Sequence, residues 1–177
     1  SLNNHAELLR SMGRPKEAEE EYKESIEICR ALYKKAPEVY GNDLATSLNN
    51  HAVLLKSMGR PKEAEEEYKE SIEICRALYK KAPEVYGNDL AISLYNYGLF
   101  LNDYGDINEA KDKIEEALRL YLVLFRRTPE VYGDNFYTVF TGYLSFMADN
   151  DRQEDAVKFF AENDMLDIFM SFIEQQQ

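Results

Sequence analysis

SLNNHAELLRSMGRPKEAEEEYKESIEICRALYKKAPEVYGNDLAT, residues 1–46, is written again as SLNNHAVLLKSMGRPKEAEEEYKESIEICRALYKKAPEVYGNDLAI, residues 47–92. The two stretches differ only at Glu7/Val53, Arg10/Lys56 and Thr46/Ile92. A looser third copy begins at Ser93, again 46 residues on, and a degraded fourth begins at Val139. A fixed period of this length marks a stacked array in which each unit touches only its neighbours. The expected organisation is one elongated domain over residues 1–177, with repeats 1–46, 47–92 and 93–138 and a degenerate capping repeat at 139–177. Identity at solvated positions, which packing alone would not fix, implies recent or deliberate copying. Arrays of this kind usually bind other molecules rather than transform them.

No run of about 18 apolar residues occurs, so no membrane span is expected. The opening SLNNHAELL lacks a basic segment followed by an apolar stretch, and no signal peptide is visible. Cys29 and Cys75 are the same residue of successive copies, and equivalent sites one repeat apart are too distant for a disulfide. They read as small buried thiols in a reducing, cytoplasmic setting. The net charge of −12 is unevenly spread: residues 139–177 hold 2 basic and 8 acidic residues, half of the excess. Such a balance argues against a general binder of nucleic acid or of anionic membrane.

Each copy reads as two helices, which makes the chain all-α. In the second copy, Leu44, Leu48, Ala52 and Leu55 recur at helical spacing up to Ser57. Met58-Gly59-Arg60 breaks the run, with Gly59 free to take the left-handed conformation, and Pro61 opens the next helix. That helix, expected from Pro61 to about Lys81, places Ala64, Tyr68, Ile72, Cys75 and Leu78 on one face. Pro83 reads as its stop, Ala82–Asn88 as a connector, and Asn88 or Asp89 as the next N-cap, as Asn42 and Asp43 are one repeat earlier. The third copy turns at Gly105-Asp106 and stops at Pro129. The acidic run Glu63–Glu70 reads as a solvated helix face rather than a cation site, because its carboxylates diverge.

The stretch LYNYGLFLNDYGDINEAKDKIEEAL, residues 94–118, resembles the tetratricopeptide repeat, with Leu94, Tyr97, Gly98, Leu101, Gly105, Ala110, Ile114 and Ala117 at the pattern's places. Leu48, His51, Ala52, Leu55, Gly59, Ala64, Tyr68 and Ser71 fill them in copy two; Leu2, His5, Ala6, Leu9, Gly13, Ala18, Tyr22 and Ser25 do so in copy one. The small residues Ala6, Ala52 and Gly98 let the paired helices approach. The period exceeds the usual 34 of that repeat, and the added residues are expected to lengthen the second helix and the connector, as in kinesin-light-chain-type repeats. The resemblance implies a right-handed α-solenoid of antiparallel helix pairs. The fourth copy departs from it: Leu144 replaces the small residue, and Asn163-Asp164 interrupts the apolar face, so Met165–Ile173 is expected to cap the array as a separate helix. Ser1 falls partway into a first helix without the lead that opens later copies, which reads as a piece of a longer array.

In the resembled fold the first helices line a concave groove. Asn4, Asn50 and Asn96 recur there and resemble the asparagine ladder with which related repeats hold an extended peptide, since one amide both donates and accepts. Gly142 should end the ladder. Asn3, Asn49 and Tyr95 flank it; Glu7, Val53 and Leu99 form one variable row, and Arg10, Lys56 and Asn102 a second. The expected function is a non-enzymatic scaffold that binds a protein or peptide partner along this groove. The alternatives are a self-associating spacer stacked head-to-tail through an uncapped N-terminal edge of Leu2, Ala6 and Leu9, or the sensor part of a larger signalling protein. His5 and His51 sit at the large packing place and read as packing histidines. No Gly-rich phosphate loop, nucleophile–base pair or metal-ligand cluster occurs, so no catalytic residue, metal or cofactor is expected.

Overall fold

The computed structural model describes residues 1–175 as nine α-helices: α1 (Leu2–Ser11), α2 (Pro15–Tyr33), α3 (Pro37–Ser57), α4 (Pro61–Lys81), α5 (Pro83–Tyr104), α6 (Ile107–Arg127), α7 (Pro129–Asp149), α8 (Gln153–Glu162) and α9 (Leu166–Gln175). No strand occurs among the described residues. Each helix packs on the next in the chain, and the first helices also meet across pairs, α1 with α3 and α3 with α5. The second helices are held together by long side chains: Arg30 reaches Glu70 from α2 to α4 (2.9 and 3.0 Å), and Arg76 reaches Glu116 from α4 to α6 (2.5 and 2.7 Å). Close inner helices and bridged outer helices give a solenoid whose inner face is built by α1, α3, α5 and α7.

The turn within a pair follows from two residues. Gly13 and Gly59 have φ of +72° and +75°. At the second turn Arg60 N–H donates to Leu55 O at 2.9 Å and Gly59 N–H to Lys56 O at 3.1 Å, so the last carbonyls of α3 are satisfied and proline can open α4 at once. The third pair solves the same problem with other chemistry. Gly105 is extended there, and the Asp106 carboxylate accepts from Asn108 N–H and Glu109 N–H at 2.8 and 2.9 Å. Asp151 and Asp164, with φ of 56° and 54°, play the glycine's part on either side of α8.

Between pairs the structure corrects the sequence reading. Ala82 alone separates α4 from α5, and Thr128 alone separates α6 from α7. Proline does end the preceding helix, because the residue before it is forced out of the helical region: Ala82 has φ −147° and ψ 80°. Proline is equally well suited to the first position of the next helix, and Ala82 O accepts from Val85 and Tyr86 N–H, both at 3.1 Å. Asn42, Asp43, Asn88 and Asp89 are therefore helix-interior residues and not N-caps. Gly87 stays helical because it is buried beside Tyr79 and Leu124, packing that overrides its poor propensity. The added length is thus shared between both helices: α3 and α4 are 21 residues each, about 31 Å at 1.5 Å per residue.

Three further expectations are revised. Ala6 and Leu9 are buried against Ala18, Tyr22 and Leu54, so they are not the open N-terminal edge; Leu2 is half-buried. His51 is 3% exposed, with Tyr22 of the first pair 5.9 Å from its ring, whereas His5, its copy, is exposed. Cys75 is buried and Cys29 only partly so. The chain breaks at Asn163, and α9 lays Ile168, Phe169 and Phe172 on the core. Phe140 stands among the rings of Phe136, Phe160 and Phe172 there, at 5.8, 5.2 and 5.6 Å.

Candidate functional site

Two hollows lie along the inner face, related residue for residue by the 46-residue period. The first, about 110 Å³, is lined by Thr46, Asn49 and Asn50 of α3, Cys75 of α4, and Asp89, Ile92 and Ser93 of α5. The second, about 220 Å³, is lined by Ile92, Tyr95 and Asn96 of α5, Tyr121 of α6, and Asn135, Thr138 and Val139 of α7. First helices form the walls, the intervening second helix forms the floor, and Ile92 is the ridge between them.

The walls carry a chain of amides. Asn96 Nδ2 donates to Asn49 Oδ1 at 3.2 Å, and Asn49 Nδ2 donates to Asn50 Oδ1, also at 3.2 Å. Asn50 and Asn96, predicted as successive rungs, are thus joined through the buried Asn49. Asn50 Nδ2 and Asn96 Oδ1 stay outside these bonds, one donor and one acceptor on neighbouring helices. Beneath them Ser71 Oγ donates to Ala45 O at 2.8 Å and accepts from Ser93 Oγ at 3.2 Å, which pins α4 to both α3 and α5. Tyr121 OH and Asn135 Nδ2 both donate to Asn88 Oδ1, at 3.1 and 3.2 Å, which fixes the floor and wall of the second hollow.

The other predicted residues fall differently. Asn4 is exposed, while Asn3 donates to Ser47 Oγ at 2.8 Å and so closes the position equivalent to the first hollow. Tyr95 lies over Gly142, where a Cβ would stand 1.9 Å from the phenol oxygen, so the fourth copy has no room for a side chain at the place of Asn50 and Asn96. Glu7, Val53, Leu99, Arg10, Lys56 and Asn102 do not line either hollow. Glu7 binds Arg10 and accepts from Tyr22 OH at 3.1 Å, and the Arg10 guanidinium holds its carboxyl below the ordinary value. Val53 and Leu99 pack half-buried on the core. Lys56 pairs with Asp103 at 2.6 Å, and Asn102 accepts from Asn150 Nδ2 at 3.3 Å.

Asp89, Asn135, Thr46, Ile92, Thr138, Cys75 and Tyr121 were missed as groove residues. Their signal was present: 46/92/138 precede the 50/96 ladder by one helical turn, and 89/135 repeat at the same period. Asp89 is hidden because it reads as the N-cap of a helix that in fact begins at Pro83, and Cys75 because it reads as a packing residue of the second helix.

Chemically the first hollow is electronegative. Asp89 is half-buried and takes part in none of the ion pairs, and burial raises its carboxyl above the ordinary value. Burial, aided by that carboxylate, pushes the Cys75 thiol up to about 11, so it stays protonated at neutral pH and is not poised as a nucleophile. A carboxyl raised in the fold costs stability in full above its folded value, and the cost fades as pH falls from there to its unfolded value. Asp89→Asn is therefore expected to melt above the parent at pH 7, with the gap closing in acid. Thermal melts across that range check this, and a lower-melting Asp89→Asn at pH 7 would show the charge to be compensated.

No group of three or more metal-ligating side chains converges among the described residues, and no described helix is long and apolar enough to cross a membrane. A family model described as Tetratricopeptide repeat matches the chain twice, over residues 1–77 and 43–122. No curated protein matches it.

Proposed function

Because the chain belongs to the tetratricopeptide repeat family, whose members generally serve as protein–protein interaction scaffolds, we propose that it holds an extended segment of a partner protein along the groove of α3, α5 and α7. The observation that carries this is the amide chain between the two hollows. Asn50 Nδ2 and Asn96 Oδ1 can take the C=O and N–H of one stretch of peptide backbone, an exchange that fixes a path without reading side chains. Asn49, buried and bonded to both, holds them in place, so little ordering is left for the moment of binding. The hollows on either side then take side chains.

Asn50→Ala with Asn96→Ala is expected to weaken a peptide selected on the parent chain by more than tenfold, two lost hydrogen bonds at about 1 kcal/mol each. Fluorescence anisotropy reads the affinity, and an unchanged value ends this reading. The helices should be undisturbed, which circular dichroism checks.

A second reading, self-association, is favoured by one observation. Leu8 and Ile28 are 55% and 46% exposed, whereas their copies Leu54 and Ile74 are 0% and 6% exposed beneath the preceding pair. Among the described residues α1 and α2 thus present an apolar face whose equivalent is covered in the next pair. If copies associate through it, sedimentation of the parent rises with concentration and Leu8→Glu/Ile28→Glu stays monomeric. A parent that sediments as a monomer at every concentration removes this reading.

A further inference from the structure

We infer that the hollow between α3 and α5 receives a basic side chain, lysine or arginine, of the bound segment, with Asp89 as its counter-ion. The inference rests on the peptide-binding reading and adds to it a chemical class for the ligand at one place.

Three observations converge on Asp89. Four carboxylates are matched within the chain from one helix to another: Glu38 by Lys81 at 3.2 Å, Glu84 by Arg127 at 3.0 Å, Glu70 by Arg30 and Glu116 by Arg76. Asp89 is half-buried in a cavity and unmatched. The two cations on the groove side are already engaged, Arg10 with Glu7 and Lys56 with Asp103, near the turn end of the first helices. Among the described residues no lysine, arginine or histidine lines this hollow.

The equivalent position is not the same in each subsite. Asp43 is exposed, and Asn135 is neutral and spends its amide on Asn88. A partly desolvated charge at a single position in a repeating groove is a place where one residue of an extended ligand is chosen. The rest of the lining fits a long cationic side chain. Ile92 offers an apolar wall for its methylenes, Thr46 and Ser93 offer hydroxyl oxygens as acceptors, and about 110 Å³ accommodates the tip. A long basic side chain can lay its stem along the apolar wall and deliver its charge to the carboxylate. An acidic side chain would be repelled by the Asp89 carboxylate.

The test is a random twelve-residue phage-displayed peptide library panned on the immobilised full chain, followed by affinities of one selected peptide. The expected result is a lysine or arginine at a fixed place in the selected sequences. Asp89→Asn then lowers affinity for that peptide about tenfold, as loss of one partner of a partly buried charge pair does. It leaves unchanged the affinity of the same peptide with norleucine at the basic place. Selected peptides without a fixed basic residue, or equal losses for both peptides, would overturn the inference. If selected peptides respond to Asn50→Ala/Asn96→Ala but not to Asp89→Asn, this inference alone fails. If no peptide is retained, the peptide-binding reading fails with it.

Discussion

Phe140→Ala is expected to cost about 3–5 kcal/mol, the usual range for emptying a buried phenylalanine site. Phe140 is fully buried, and its ring is the point where α7, α8 and α9 meet through Phe136, Phe160 and Phe172. The site has little means to collapse, because Phe160 is itself held by Phe169 at 5.0 Å and by Tyr143 at 5.7 Å. For a chain of this size the loss corresponds to a melting temperature lower by about 10 °C. Stability in a stacked array is local, so the loss should be uneven. Amide hydrogen exchange checks this: protection should collapse in α8 and α9 while α3 and α4 keep theirs. Uniform loss along the chain would mean that the array behaves as one cooperative block.

The second large effect is at a close approach of α5 and α6. A Cβ on Gly98 would stand 2.6 Å from Ile114 Cγ1 and 3.2 Å from Ala110 O. Ile114 is β-branched and nearly locked at χ1 in a helix, so it cannot swing aside. Gly98→Ala gains about 1 kcal/mol of helix propensity and loses about 2–3 kcal/mol to overpacking, a net destabilisation of about 1–2 kcal/mol. The first two copies show the relief. They carry alanine at this place, Ala6 and Ala52, opposite Tyr22 and Tyr68, which are not β-branched. Gly98→Ala/Ile114→Tyr should therefore recover most of the loss in urea denaturation, and a double variant no better than the single one would contradict the steric explanation.

Much of the fold was legible in the residues. The Gly59-Arg60-Pro61 turn and the apolar spacing of Leu48, Ala52 and Leu55 state a local geometry that packing then confirms. The limits of α5 were not legible, because proline is both a helix stop and a helix start. Nothing local to Ala82-Pro83 says that the second role follows the first within one residue. The Gly87-Asn88-Asp89 triplet also has turn chemistry, which only the surrounding Tyr79 and Leu124 overrule. The site inherited that error. Asn50 and Asn96, which line the hollows, stand out by their period, while Asp89 reads as a cap. Sequence spacing likewise does not show that Arg10 and Lys56 pair with Glu7 and Asp103.

Similar reasoning explains why two nearly identical copies behave differently. His5 and His51 or Leu8 and Leu54 share sequence and local conformation, yet one of each is exposed and the other buried. In a stacked array position along the stack is a structural variable in its own right, and no single copy reports it.

The most direct test of the groove is a titration of the ¹⁵N-labelled chain with a library-selected peptide, followed by amide and asparagine side-chain resonances. Binding along the inner face perturbs Thr46, Asn50, Ile92, Asn96 and Thr138 most. Perturbations centred on the outer ridge at Arg30 and Arg76, or on the N-terminal edge at Leu8 and Ile28, with the asparagine resonances unmoved, would contradict it.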